Sequence, residues 1–220
     1  QALAAVITGA VGVVAEVDGL TVEQRISDGY ILRENVYTDL DALLARIDSC
    51  RTSKEAIALV YHGNVVDLWE KLVSEQVFIE LGSDQTSLHN IDDLGYCPAG
   101  YSFEEAKSLL IDKKPMFMAA VRDTLRRHVR AVNAMAGMGM YFWDYGNAFL
   151  LEASRAGADI TKTDGEFKYP SYVQDIMGPL FFDYGFGPFR WVCTSGKAED
   201  LETTDKIAAE VLTEIAATAP

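Results

Sequence analysis

Basic residues are scarce in this chain: 19 Lys and Arg stand against 33 Asp and Glu in 220 residues, a formal charge of −14. A nucleic-acid surface needs an excess of cations on at least one face, so that class of partner is excluded. The single basic cluster, Arg122, Arg126, Arg127 and Arg130, recurs at helical spacing and reads more readily as a solvated helix face than as an anion site. No apolar run reaches the roughly 18 residues of a membrane span, and the start lacks the basic-then-apolar layout of a signal peptide. Cysteine is sparse as well. Cys50, Cys97 and Cys193 are odd in number and lack metal-ligand spacing, which favours reduced thiols in a cytoplasmic setting over a disulfide framework. The three histidines are scattered, so no metal site is expected. Internal repeats and low-complexity linkers are missing too; only Lys162 to Lys168 looks like an exposed loop.

What is present is apolar residue in quantity, 49%, enough for a packed core. It falls into short β-branched runs alternating with amphipathic stretches. That order predicts an α/β domain with a mostly parallel sheet flanked by helices. The strands are expected at Val11 to Val17, Ala56 to Tyr61, Val77 to Leu81, Met140 to Trp143 and Arg190 to Cys193. Helices are expected at Gln1 to Gly9, Leu40 to Asp48, Val65 to Ser74, Phe103 to Asp112, Phe117 to Ala136 and Leu201 to Ala217. Met118, Val121, Leu125, Val129 and Val132 make one apolar stripe on the long helix, with His128 on or beside it as a structural residue. Thr38 or Asp39, Asn64, and the pair Ser102 and Glu105 supply start signals.

Three strand exits carry polar chemistry. Asp84-Gln85-Thr86-Ser87-Leu88-His89 offers donors and acceptors suited to phosphate, ribose or amide, where an ordinary turn would use Gly, Pro, Asn or Asp. His62-Gly63-Asn64 leaves one strand and opens the next helix. Glu16 and Asp18 end the strand after the first helix, where a dinucleotide-binding βαβ unit keeps the acid that bonds the adenosine ribose. On that register the first strand and its glycine turn would fall before Gln1, so the chain reads as a Rossmann-like fold lacking both. A solvated acid at a strand end is the competing reading of Glu16.

The ordered set of motifs resembles the urocanase (urocanate hydratase) family over nearly the whole chain. It comprises Gln1-Ala2-Leu3-Ala4-Ala5 with Glu16, His62-Gly63-Asn64, Asp84 to His89, Gly95-Tyr96-Cys97-Pro98-Ala99-Gly100, Asp144-Tyr145-Gly146-Asn147 and Gly187-Pro188-Phe189-Arg190-Trp191. The resemblance implies NAD+ held as an electrophile, and water added to urocanate to give 4-imidazolone-5-propionate in histidine breakdown. It implies cofactor contacts from Glu16, Asn64, Val65, Gln85, Thr86, Ser87, Leu88, His89, Tyr96, Cys97 and Tyr145, and Arg190 as the anchor for the substrate carboxylate, a task suited to a planar guanidinium fork. It further implies that residues 1–220 are the NAD-binding domain of a longer, homodimeric, cytoplasmic enzyme. About 187–220 would lead back into the remaining core domain. None of the three cysteines matches the family's active-site cysteine, and the chain alone is expected not to hydrate urocanate. Two other readings stay open at this point: the dinucleotide domain of a hydride-transferring dehydrogenase, and a non-catalytic nucleotide-binding or assembly module.

Overall fold

The computed structural model describes residues 2–187 and 193–218. Strands β1 (Val11–Glu16), β2 (Val36–Tyr37) and β3 (Ile57–His62) form a parallel sheet with β3 in the centre. The register runs from Val11 opposite Ile57 to Glu16 opposite His62, so β1 and β3 end side by side. A second parallel pair, β4 (Leu81–Asp84) and β5 (Tyr141–Asp144), sets Asp84 directly opposite Asp144. All the polar strand exits therefore lie at carboxyl ends, where α/β folds keep their ligands.

Helix starts follow the capping signals. The Asp39 carboxylate accepts from the Ala42 N–H at 2.7 Å and opens α3 (Leu40–Ser53), after α1 (Ala2–Ile7) and α2 (Gly19–Ser27). Asn64 accepts from the Val66 N–H at 2.9 Å and opens α4 (Val65–Ser74). Ser102 and Glu105 form a reciprocal capping box on α5 (Phe103–Asp112), a device worth about 1 kcal/mol. Helix α6 (Lys114–Gly137) begins with Pro115, whose missing N–H costs nothing in a first turn. It buries Val121, Leu125, Val129 and Val132 along the expected stripe, each side chain contributing roughly 1.5–3 kcal/mol of transfer free energy. Helix α7 (Phe149–Arg155) closes the set around β5.

Several sequence expectations shift. The strand expected at Val77 to Leu81 lies instead at Leu81–Asp84: Val77 and Ile79 pack on the core as the chain leaves α4, and pairing with β5 selects the Gly-Ser-Asp segment despite its poor strand propensity. Helices α2 and α7 and the short strand β2 went unanticipated. The arginine cluster is only partly a solvated face. Arg127 of α6 bonds both carboxylate oxygens of Glu70 on α4, at 2.9 and 2.7 Å, and Arg126 donates to the carbonyl of Ala156 at 3.0 Å. The strand expected at Arg190 to Cys193, and Arg190 with it, falls outside the described residues except for Cys193, which is not in a strand.

The chain divides into two compact units, Gln1–Ile176 and Met177–Pro220. The second contains the one-turn helix α8 (Gly178–Leu180) and the long helix α9 (Ala198–Thr218), which leaves Ile207, Val211 and Ile215 exposed. Among the described residues no helix is long and apolar enough to cross a membrane.

Candidate functional site

The strand exits of the first unit are tied to one another in sequence by hydrogen bonds. The Gly63 N–H donates to the Glu16 carbonyl at 2.9 Å, joining the ends of β1 and β3. The Asn64 side chain then donates to the Cys97 carbonyl at 2.9 Å while its oxygen caps α4. From the Tyr96–Cys97 corner the link passes back to the polar loop, because the Ser87 N–H donates to the Gly95 carbonyl at 2.9 Å. That loop meets the β5 exit through Tyr145 N–H to Asp84 carbonyl at 3.2 Å, His89 N–H to Asn147 carbonyl at 3.1 Å and the Asn147 amide to the Gln85 carbonyl at 3.4 Å. Glu16, Asn64, residues 84–89, Tyr96, Cys97 and Tyr145 thus form one continuous band.

Within this band the sequence-predicted residues divide by what their side chains are free to do. Gln85, Ser87 and His89 are exposed and make no side-chain hydrogen bond within the described residues. Tyr145, exposed, stacks on Tyr172 with centroids 5.1 Å apart and planes 9° from parallel, giving a flat aromatic face. Glu16 is half-buried; one carboxylate oxygen accepts from the Asp18 N–H at 2.9 Å, and the other has no hydrogen bond among the described residues. By contrast Asn64 is buried with both ends of its amide engaged, Leu88 is a core residue, and Tyr96 is 2% exposed with its hydroxyl bonded inside the domain. Val65 opens α4 and is half-buried; Cys97 is half-buried, and burial raises its thiol to about 11, which keeps it protonated at neutral pH.

Beside Glu16 a cleft of about 700 Å³ opens between α2 and the start of α5. Its walls include Asp18, Leu20, His62 and Phe103, and Gly19 leaves room for the His62 ring, whose Cε1 would lie 3.3 Å from any added Cβ. Asp18 organises this wall, accepting from the Leu20 N–H and the Thr21 hydroxyl, each at 2.9 Å.

Two aspartates of the quoted motifs and a histidine were not among the expected cofactor contacts. The Asp84 Oδ1 accepts from the Thr86 N–H at 3.1 Å and the Thr86 hydroxyl at 2.6 Å, and the Asp144 Oδ1 accepts from the Gly146 N–H at 3.1 Å. Each carboxyl closes an Asx-type turn that shapes its own corner. The visible signal was an Asp two residues before a turn donor in both motifs; their pairing across β4 and β5 was not visible. His128 of α6 sits beneath them, wholly buried.

Burial pushes Asp84 up to about 7, with the neighbouring Asp144 adding to the rise, and pushes His128 down to about 3. Between pH 4 and 7, roughly, the fold keeps a proton on Asp84 that the unfolded chain releases, so this group alone makes stability fall as pH rises. His128 acts oppositely. From roughly pH 3 to 6.5 the unfolded imidazole binds a proton that the fold excludes, so its contribution rises with pH. The two slopes offset one another in the intact protein. Asp84→Asn is expected to leave the histidine slope uncovered, so that stability gains up to about 1.4 kcal/mol per pH unit between pH 4 and 6 relative to the parent. Urea unfolding at several pH values measures it; parallel curves for variant and parent would refute it.

Parallel strands flanked by helices, in a three-stranded sheet and a separate pair, with an acid after one strand and polar corners after the others, define a Rossmann-like domain. Comparison with known proteins gives the same class: the family model described as the Urocanase Rossmann-like domain matches residues 1–176, and that of the Urocanase C-terminal domain matches residues 179–219. The chain belongs to the urocanase family. It is 55% identical over 216 residues to a protein named probable urocanate hydratase from Dictyostelium discoideum, covering 96% of this chain and 32% of that protein. To the urocanate hydratase of Mus musculus it is 51% identical over 220 residues, covering 96% and 32%. A probable urocanate hydratase of Halobacterium salinarum is 33% identical over 219 residues, covering 97% and 36%. The chain spans about a third of the length of these curated relatives.

Proposed function

We propose that this chain is the dinucleotide-binding part of a urocanate hydratase, a hydro-lyase that adds water to urocanate to form 4-imidazolone-5-propionate in histidine breakdown. The observation that carries the reading is the hydrogen-bonded band of strand exits, which spends its backbone groups on holding the corners together and leaves the side chains of Gln85, Ser87 and His89 unspent, beside a Tyr145 ring that is exposed apart from its stacking on Tyr172. Those groups fit NAD+: amide, hydroxyl and imidazole donors suit phosphate and ribose oxygens, and a flat phenol face suits a heteroaromatic ring. Glu16, with one carboxylate oxygen uncommitted among the described residues, fits a ribose diol. When bound, NAD+ supplies an electron-poor nicotinamide ring.

In this reading the residues divide the labour. Asn64, Leu88 and Tyr96 shape the corners from within, Val65 and Cys97 line them, and Thr86 is fixed by Asp84. Arg190 would hold the urocanate carboxylate. The segment from about 187 to 220 leads back into the remaining core domain, and the whole enzyme works as a cytoplasmic homodimer. Free thiols at Cys50, Cys97 and Cys193 agree with a reducing compartment.

Glu16→Gln tests the cofactor reading. Losing one charge-assisted bond of about 1.5–3 kcal/mol is expected to weaken NAD+ binding some tenfold or more, with the turn at Asp18 preserved by the amide oxygen. Calorimetry on parent and variant measures it. Equal affinities would remove Glu16 from the cofactor site.

A further inference from the structure

We propose that His128, a residue of the α6 core stripe, is a positioning residue for the polar loop 84–89: held in one tautomer by Tyr96, it aims its second ring nitrogen at Asp84 and keeps that carboxyl seated on Thr86. The inference rests on reading that loop as a cofactor-binding corner.

A histidine is costly on this stripe. His128 lies among Leu125, Val129 and Val132, with the Phe149 ring 4.8 Å away, and none of its surface reaches solvent. A leucine would fill such a position without burying two ring nitrogens, so the polar ring needs polar partners. It has one at bonding distance: the Tyr96 hydroxyl stands 3.1 Å from Nδ1. That phenol is buried and has no other partner among the described residues, so its proton goes to Nδ1; the reverse arrangement would leave a buried O–H with no acceptor. Nδ1 is therefore the acceptor, and Nε2 carries the hydrogen.

Nε2 faces Asp84 Oδ2 at 4.0 Å, with side-chain exposures of 0% and 1%. Neither atom has a hydrogen-bond partner among the described residues. The gap is about 1 Å longer than a direct hydrogen bond. The other Asp84 oxygen takes both Thr86 donors, so the carboxyl is oriented from two sides: Thr86 below the loop and His128 above the core. Asp144 of β5 is the neighbouring acid, while Arg127 and Cys97 act on the Tyr96 side. The path also closes on itself. From Thr86 the chain reaches Ser87, whose N–H holds the Gly95 carbonyl, and Gly95 precedes Tyr96. One imidazole thus ties two corners of the band to the long helix.

Two variants separate positioning from packing. His128→Phe keeps a ring and removes both nitrogens; His128→Gln keeps an acceptor for Tyr96 and a donor for Asp84. In the parent chain at about pH 8, where Asp84 is ionised, ring nitrogen shifts are expected to show hydrogen on Nε2 alone. His128→Phe is expected to speed exchange of the Thr86 amide by about tenfold or more and to weaken NAD+ by a similar factor, while the core amides of α6 keep their protection. His128→Gln is expected to restore both to within about threefold of the parent. A proton on Nδ1, an unchanged Thr86 amide in His128→Phe, or a folded His128→Gln that fails to rescue would overturn the proposal. Should His128→Phe not fold, the parent tautomer and the glutamine variant decide the matter. If the parent itself does not bind NAD+, the cofactor reading fails, whereas Thr86 exchange still tests what His128 does.

Discussion

Gly95→Ala is expected to cost more than 3 kcal/mol of stability, or about a hundredfold in NAD+ affinity if the fold survives. A Cβ at this position would collide with the Ser87 carbonyl and come within 2.7 Å of the Asn90 carbonyl. Both obstacles are backbone, so no rotamer change relieves them. Gly95 also donates to the Asn90 carbonyl at 3.0 Å and accepts from the Ser87 N–H at 2.9 Å. Making room therefore breaks the bonds that join the polar loop to the Tyr96 corner, and the loop must open. Gly100→Ala is the control: it has a positive φ of 85° but nothing within 4 Å, so its expected cost is about 1 kcal/mol and its effect on ligand small. Chemical unfolding and calorimetry on the two variants give the comparison, and equal costs would contradict the account of this corner.

Phe149→Ala is expected to lose about 3–5 kcal/mol. Phe149 is wholly buried at the start of α7, with ring centroids 4.8 Å from His128 and 5.8 Å from Phe142. Truncation opens a cavity between α6, β5 and the buried histidine, and close packing there gives neighbouring rings little freedom to fill it. Because β5 carries Asp144 at its end, weakened packing is also expected to loosen the Tyr145 corner. Urea unfolding measures the first effect and amide exchange at Tyr145 to Asn147 the second. A loss below about 1 kcal/mol would show that the site collapses without strain.

The sequence made some of this legible and hid the rest for identifiable reasons. Val65–Ser74 and Phe103–Asp112 could be read to the residue because each has a cap at its start and an amphipathic face. The β1 and β3 exits were legible because both strands are continuous apolar runs with polar residues at the ends. Strand β4 was not, since Gly82-Ser83-Asp84 has no strand preference of its own: Gly82 is selected by Met140 and Trp69, which would lie 2.7 and 2.9 Å from a Cβ there. Helix α2 buries only Val22, too little to mark a face, and α7 is seven residues long with no capping side chain. The Tyr96 to His128 bond spans 32 residues of sequence, and no local pattern announces such a partner. Polar loop motifs thus marked corners that the fold brings together, but not which of their side chains turn inward.

Under the proposed function, Glu16, the His62 to Val65 turn, the 84–89 loop and the Tyr145 to Asn147 corner act together to receive a dinucleotide. The most direct measurement is an amide-shift map of the isotope-labelled chain titrated with NAD+. The account predicts saturable shifts at these four segments together, with one common affinity, and little change along α3 or the exposed face of α6. Shifts confined to one segment, scattered over the helices, or absent at millimolar NAD+ would contradict it.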